Sequence, residues 1–142
     1  MVRKKDLLNF KSKELFDLVI NIEDYPNFLP YCKKSKIISK EENLIIADLT
    51  IGNFLFCEKF RSTVKTEDHK KIEIESIGKM IKSLNATWHF EDNENGCSVM
   101  FEINIKMKSV WMQKTLEKIF NEFFEKILKA FESRANLSKK NN

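Results

Sequence analysis

The sequence predicts an α+β fold: a curved antiparallel sheet of six or seven strands around a long C-terminal helix, with an apolar cavity between the layers. Three observations predict it. From residue 32 to 108, apolar residues recur at every second position, in runs separated by short polar turns. From about 110 to 137 they recur at i, i+3 and i+4, with no Gly or Pro to interrupt them. Twelve Phe in 142 residues call for a voluminous aromatic core or an apolar pocket.

Residues 3–9 read as a first strand. Ser12 has the side chain of an N-cap, and Leu15, Phe16, Leu18, Val19 and Ile22 form the apolar stripe of a helix over about 13–22. Asp24 can cap a short helical turn that holds Pro26 in its first positions. Pro30 drives Leu29 out of the helical region and ends that turn. One strand opens at Leu44 and runs to Ile51, before a turn at Gly52-Asn53. The next, about 54–66, places Phe56, Glu58, Phe60, Ser62 and Val64 on one face. Ile72 and Ile74 alternate with Glu73 and Glu75, and Leu84, Ala86, Trp88 and Phe90 share a face. Asn93-Glu94-Asn95-Gly96 reads as a hairpin loop leading to the alternation of Phe101, Ile103, Ile105 and Met107. Consecutive strands with short turns make an antiparallel meander with one buried and one wet face.

In the last segment, Met112, Leu116, Ile119, Phe120, Phe123, Phe124, Ile127, Leu128 and Phe131 form one broad stripe. Such a helix needs a large apolar surface to lie on, and the inner face of the sheet is the surface on offer. Residues 1–137 are expected to form one domain, with 138–142 a flexible tail.

Composition narrows the function classes. A chain this long buries roughly 68–70% of its unfolded surface, so a core forms without metal or disulfides. Net charge is +4 with Lys and Glu interleaved, which gives no dense stripe for DNA. Arg3-Lys4-Lys5 and Lys139-Lys140 are short basic patches that suit solvation, or weak attraction to anionic lipid or RNA. Cys32, Cys57 and Cys97 are odd in number and widely spaced, unlike a disulfide framework or a zinc site. No run approaches the ~18 apolar residues of a membrane span, and the first residues lead into no secretory signal. A cytoplasmic location is therefore expected, peripheral at the cytoplasmic face of the inner membrane if it meets a bilayer at all. His69 and His89 fall on turn or outer-face positions, without a nucleophile beside them. No catalytic constellation, metal-ligand cluster or phosphate loop stands out, and the expectation is a protein that is not an enzyme.

Several motifs, in order, resemble a known family. They are Tyr25-Pro26, Phe28-Leu29-Pro30-Tyr31-Cys32, Ile51-Gly52, Glu58-Lys59-Phe60-Arg61-Ser62-Thr63-Val64, Trp88-His89-Phe90, Ile119-Phe120-Asn121-Glu122 and Ala130-Phe131-Glu132-Ser133-Arg134-Ala135. Over about residues 10–136 the chain resembles the coenzyme Q-binding proteins of the START-like superfamily, whose bacterial members include the RatA ribosome-association toxins. The resemblance implies a helix-grip fold holding a lipophilic molecule, ubiquinone in this branch, in support of respiratory electron transport or quinone biosynthesis without catalysis. Its toxin branch implies binding to the large ribosomal subunit that blocks subunit joining. A small-molecule cyclase is a third role found in the superfamily. Tyr31 departs from the family, which usually has Trp there, and Asn53-Phe54-Leu55 lacks a second Gly or Pro.

The inward faces nominate a ligand-binding set: Leu29, Phe56, Glu58, Phe60, Ile74, Leu84, Trp88, Phe101, Ile103, Phe120, Phe124 and Ile127. Each aromatic in it has a competing reading as plain core. Glu58 is the singular member. A lone carboxylate among phenylalanines needs a hydrogen-bond partner or water, or it can anchor the head of a ligand such as a quinone. The competing reading is a strand slip or an edge position that leaves Glu58 exposed. Phe28-Leu29-Pro30-Tyr31 has two readings as well, a membrane-dipping mouth or a buried corner.

Overall fold

The computed structural model describes residues 1–52 and 57–140. Among these residues, seven strands form one antiparallel sheet: β1 (Val2–Leu8), β2 (Cys32–Glu41), β3 (Leu44–Gly52), β4 (Cys57–Glu67), β5 (Lys71–Gly78), β6 (Ile81–Asp92) and β7 (Gly96–Met107). Two helices, α1 (Ser12–Ile20) and α2 (Val110–Lys140), flank a 3-10 turn at Ile22–Asn27. The strand order is β1-β7-β6-β5-β4-β3-β2. Strands β2 to β7 are thus a meander, and β1 closes onto its last strand, with Val2 opposite Glu102 and Leu8 opposite Gly96.

The period-two pattern sets which face is buried. Glu58, Phe60, Ser62 and Val64 of β4 are all buried, and Cys57, Lys59, Arg61 and Lys65 between them are exposed. Ala86, Trp88 and Phe90 of β6 and Cys97, Val99, Phe101 and Ile103 of β7 complete the wall. Trp88 stacks on Phe101 at 4.2 Å and meets Phe131 edge-on at 5.1 Å. Phe101 stacks on Phe124 at 5.5 Å. The ring ladder therefore runs from sheet to helix, each buried ring contributing about 1.5–3 kcal/mol through burial.

Three local expectations change. Ser12 is not the N-cap of α1 but its first residue, and Lys11 stands before it without a side-chain cap. The cap comes from across the fold, where the Ser12 N–H donates to Asp92 Oδ1 at 2.7 Å. Spacing along the chain cannot reveal a partner 80 residues away. Strand β2 carried no alternation because it is a sheet edge with two register shifts and mostly exposed side chains, Lys33, Lys34, Lys36 and Lys40 among them. Charged edges of this kind discourage pairing with other chains. Finally, α2 runs past Leu137. It continues to Lys140, and Lys139 Nζ lies 4.7 Å from the Phe10 ring centre and 3.6 Å from Glu14.

Candidate functional site: two apolar cavities under the long helix

Two cavities lie between α2 and the sheet. The larger, about 670 Å3, is walled by Leu15 and Val19 of α1, Trp88 and Phe90 of β6, Phe101 of β7 and Phe131 of α2. Charged residues of β1 and α2 rim it, and two ion pairs cross between those elements: Arg3 with Glu125, and Lys5 with Glu132 at 2.5 Å. The smaller, about 350 Å3, is walled by Phe60, Ile81, Leu84, Ile105, Leu116 and Phe123, with Tyr31 and Gly52 at one side. Glu122 and Lys126, an i,i+4 pair at 3.1 Å, border both. Phe124, on the same helix, is fully buried and lines neither. Both volumes fall in the range of small-molecule sites, roughly 300–1,000 Å3.

Trp88 and Phe101 line the larger cavity, and Phe60 and Leu84 the smaller. Ile103, Phe124 and Ile127 are buried core, and half-buried Phe120 packs on them without bordering either cavity. Leu29 and Ile74 are half-buried against the core and also border neither. Phe56 lies outside the described residues. Sequence reasoning missed α1 as a cavity wall, together with Val99, Leu128, Phe131, Ile105 and Phe123. The stripe of α1 was the available signal, since an amphipathic helix next to a sheet must bury its apolar face somewhere.

Glu58 is buried, 4% exposed, so the reading as an exposed edge position falls away. Its Oε1 accepts the N–H of Met80 at 2.6 Å and, more weakly, that of Ile81 at 3.4 Å. Its Oε2 is buried with no hydrogen-bond partner among the described residues. Gly78 makes room for it: a Cβ there would run into Oε1 and stand 3.0 Å from Cδ. The neighbours of Glu58 belong to the smaller cavity. Ile51 is its cross-strand partner, Phe60 follows it on the same face, and Ile81 donates to it. The contrast is Ser62 and Ser76, whose buried hydroxyls satisfy one another at 2.6 Å.

Two of the sequence motifs meet in space and serve the scaffold. Arg134 Nη2 donates to both oxygens of Asp24, at 2.9 and 3.1 Å, and its guanidinium lies 5.3 Å over the Phe28 ring. Phe28 and Tyr25 both pack edge-on against Phe131, at 5.3 and 5.6 Å. The buried Tyr25 hydroxyl donates to the Val19 carbonyl, and burial pushes its ionisation upward. Burial likewise pushes the Cys32 thiol up to about 11, which keeps it an inert thiol near neutral pH. Of Phe28-Leu29-Pro30-Tyr31, only Tyr31 is exposed; it holds a left-handed φ of 68° and faces Phe123 across 6.0 Å. His69 is exposed at a turn and meets Phe16 edge-on at 5.5 Å.

Comparison with known proteins places this geometry. A "Ribosome association toxin RatA" of Rickettsia prowazekii is 36% identical over 133 residues, covering 91% of each chain. The mitochondrial "Coenzyme Q-binding protein COQ10 homolog B" of Xenopus laevis is 25% identical, over 91% of this chain and 55% of its own. A START superfamily protein from Mycobacterium smegmatis superposes with a TM-score of 0.78 over 96% of this chain and 97% of its own, at 15% identity, which speaks to the fold alone. The family described as polyketide cyclase / dehydrase and lipid transport matches residues 8–132. With its curved seven-stranded sheet gripping one long helix, the chain belongs to that START-like family.

Proposed function

We propose that this protein binds a lipophilic molecule, ubiquinone being the favoured candidate, and carries or presents it without transforming it. The observation that carries this reading is the larger cavity. Its inner wall is aliphatic and aromatic, and its charged groups stand on the rim. A polyisoprenoid tail there would bind by area, at about 25 cal/mol per Å2 removed from water. The COQ10 relative is named for coenzyme Q binding, which supports the ligand class. Glu58 would serve the head group of a ligand that spans both spaces, which share Glu122 and Lys126 on their borders. It is the one charged side chain buried among the described residues, and a cyclase would need a more convergent set of polar groups.

The test is an organic extract of the purified protein read by mass spectrometry. Quinone is the expected finding. Protein that carries no lipid and takes up none from quinone-loaded vesicles would sink the proposal. Glu58→Gln is expected to weaken quinone binding, and full retention would remove Glu58 as an anchor.

A second reading is supported by the name of the 36% identical relative. A RatA-type protein would bind the large ribosomal subunit and block its joining with the small one. It would co-sediment with large subunits, and the shift would fade as salt rises. No shift on a low-salt gradient would dispose of this role.

A further inference from the structure

We propose that the end of the molecule where α2 begins is a docking face for an anionic lipid bilayer, with Val110 and Trp111 entering the interface. Two chain segments form this end. The Lys108 N–H donates to the Met80 carbonyl at 2.9 Å, which ties the end of β7 to the turn between β5 and β6. The Met107 N–H donates to Gln113 Oε1 at 2.7 Å, which holds the first turn of α2 against the strand. Val110 and Trp111 are therefore held on an ordered turn and presented outward, each 74% exposed. Ile119, two turns along α2, is 53% exposed. Apolar surface of this kind, rimmed by charge, marks an interaction face.

The charge around it is predominantly positive. Lys79, Lys82, Lys106, Lys108, Lys114 and Lys118 are exposed, and none forms an ion pair among the described residues. Within residues 79–82 and 104–119 the only acidic residue is Glu117. Elsewhere on the surface, basic and acidic side chains pair repeatedly, as Arg61 with Asp48 and Lys71 with Glu73 do. An unpaired cluster of lysines around an outward Trp complements anionic headgroups, the Trp seating at headgroup depth.

A bilayer fits better than a nucleic acid because of what lies behind the face. Ile81, Met107, Leu116 and Ile119 form the wall of the smaller cavity. Ile119 is both exposed on this face and part of that wall, so the face adjoins an apolar interior that a lipid can use and a phosphate backbone cannot. Docking here would place the cavity against the membrane surface.

Vesicle partitioning tests the face whether or not quinone is the cargo, since an empty cavity leaves the docking surface intact. The full chain is mixed with phosphatidylcholine vesicles, with and without phosphatidylglycerol, at low salt. Flotation and Trp emission are the readouts. Only two Trp are present, and Trp88 is already buried at 4% exposure, so a blue shift reports Trp111. The expected result is flotation with the anionic vesicles only, together with that shift. Lys108→Glu with Lys114→Glu is expected to lower partitioning by roughly tenfold or more. Trp111→Ser is expected to weaken it and abolish the shift, with the melting temperature unchanged. The proposal is overturned if no partitioning occurs at low salt, if neutral vesicles bind equally, or if the charge reversals leave binding intact. It is equally overturned if those reversals release the protein from large ribosomal subunits while vesicle binding stays as it was.

Discussion

The two ends of α2 are built differently. At its C-terminal half, Phe131 sits among Tyr25, Phe28 and Trp88, and Arg134 holds both oxygens of Asp24. Glu125 and Glu132 pair with Arg3 and Lys5 of β1, and Lys139 reaches Glu14 of α1. At its N-terminal half, the contacts with the sheet are Gln113 with the Met107 backbone and the apolar wall of the smaller cavity, and among the described residues no ion pair crosses to the sheet. The helix is clamped at its C-terminal end, over the larger cavity, and held by fewer polar contacts at its N-terminal end, over the smaller. A ligand that enters from the loosely held end needs no clamp to break, since free energy of local opening follows local contact.

Phe124, at the centre, gives the largest expected effect. It is fully buried and stacked on Phe101. Phe124→Ala should cost about 3–5 kcal/mol in denaturant unfolding. Wild-type stability would show that this ring does not tie the helix to the sheet.

Breaking the clamp comes next. Arg134→Ala should cost about 2 kcal/mol, because the side chains of the pair are only 28% and 18% exposed and Phe28 loses its cation as well. Hydrogen exchange should quicken at the C-terminal half of α2 before the N-terminal half. The reverse order would contradict the comparison between the ends.

A smaller effect concerns pH. The Ser12 hydroxyl, and then its N–H, hold the Asp92 carboxyl below the usual carboxylate range. A carboxyl lowered in the folded state stabilises the fold fully above its unfolded value near 3.9, and that stability is lost as pH falls through the folded value. Asp92→Asn should therefore remove a pH-dependent component that appears below about pH 4, seen as a flatter dependence of melting temperature. An unchanged acid limb would deny Asp92 its role as the remote cap of α1.

The smallest stability effect is expected at the exposed end. Trp111→Ser should stay within about 0.5 kcal/mol of wild type, since a side chain 74% exposed loses little packing. A large loss would mean that Trp111 belongs to the core and would argue against a docking face.

How much of this was legible beforehand follows from the kind of interaction involved. The inward parity of Glu58, Phe60, Ser62 and Val64 was legible because side chains alternate along a strand, and one buried face makes that alternation visible. The stripe of α2 was legible for the corresponding helical reason. Strand β2 was not, because an edge strand with two register shifts buries too little to carry a pattern. Of the nominated ligand set, four members line a cavity, whereas Phe124, Ile127 and Ile103 fill the space between helix and sheet. Parity says that a side chain faces inward. It does not say whether another side chain or a void stands opposite.

By itself, then, the sequence determined the class of fold and the span of the gripping helix to within a turn, and offered an inward carboxylate as one of two readings, since each depends on local periodicity or on one residue's chemistry. Only the tertiary structure decided that the cavity is two spaces rather than one. It also decided that Asp92 caps α1, that Asp24 and Arg134 clamp the helix, and that Trp111 stands outward amid unpaired lysines. Each of those depends on groups far apart in the chain, and their meeting is set by how the curved sheet closes on the helix.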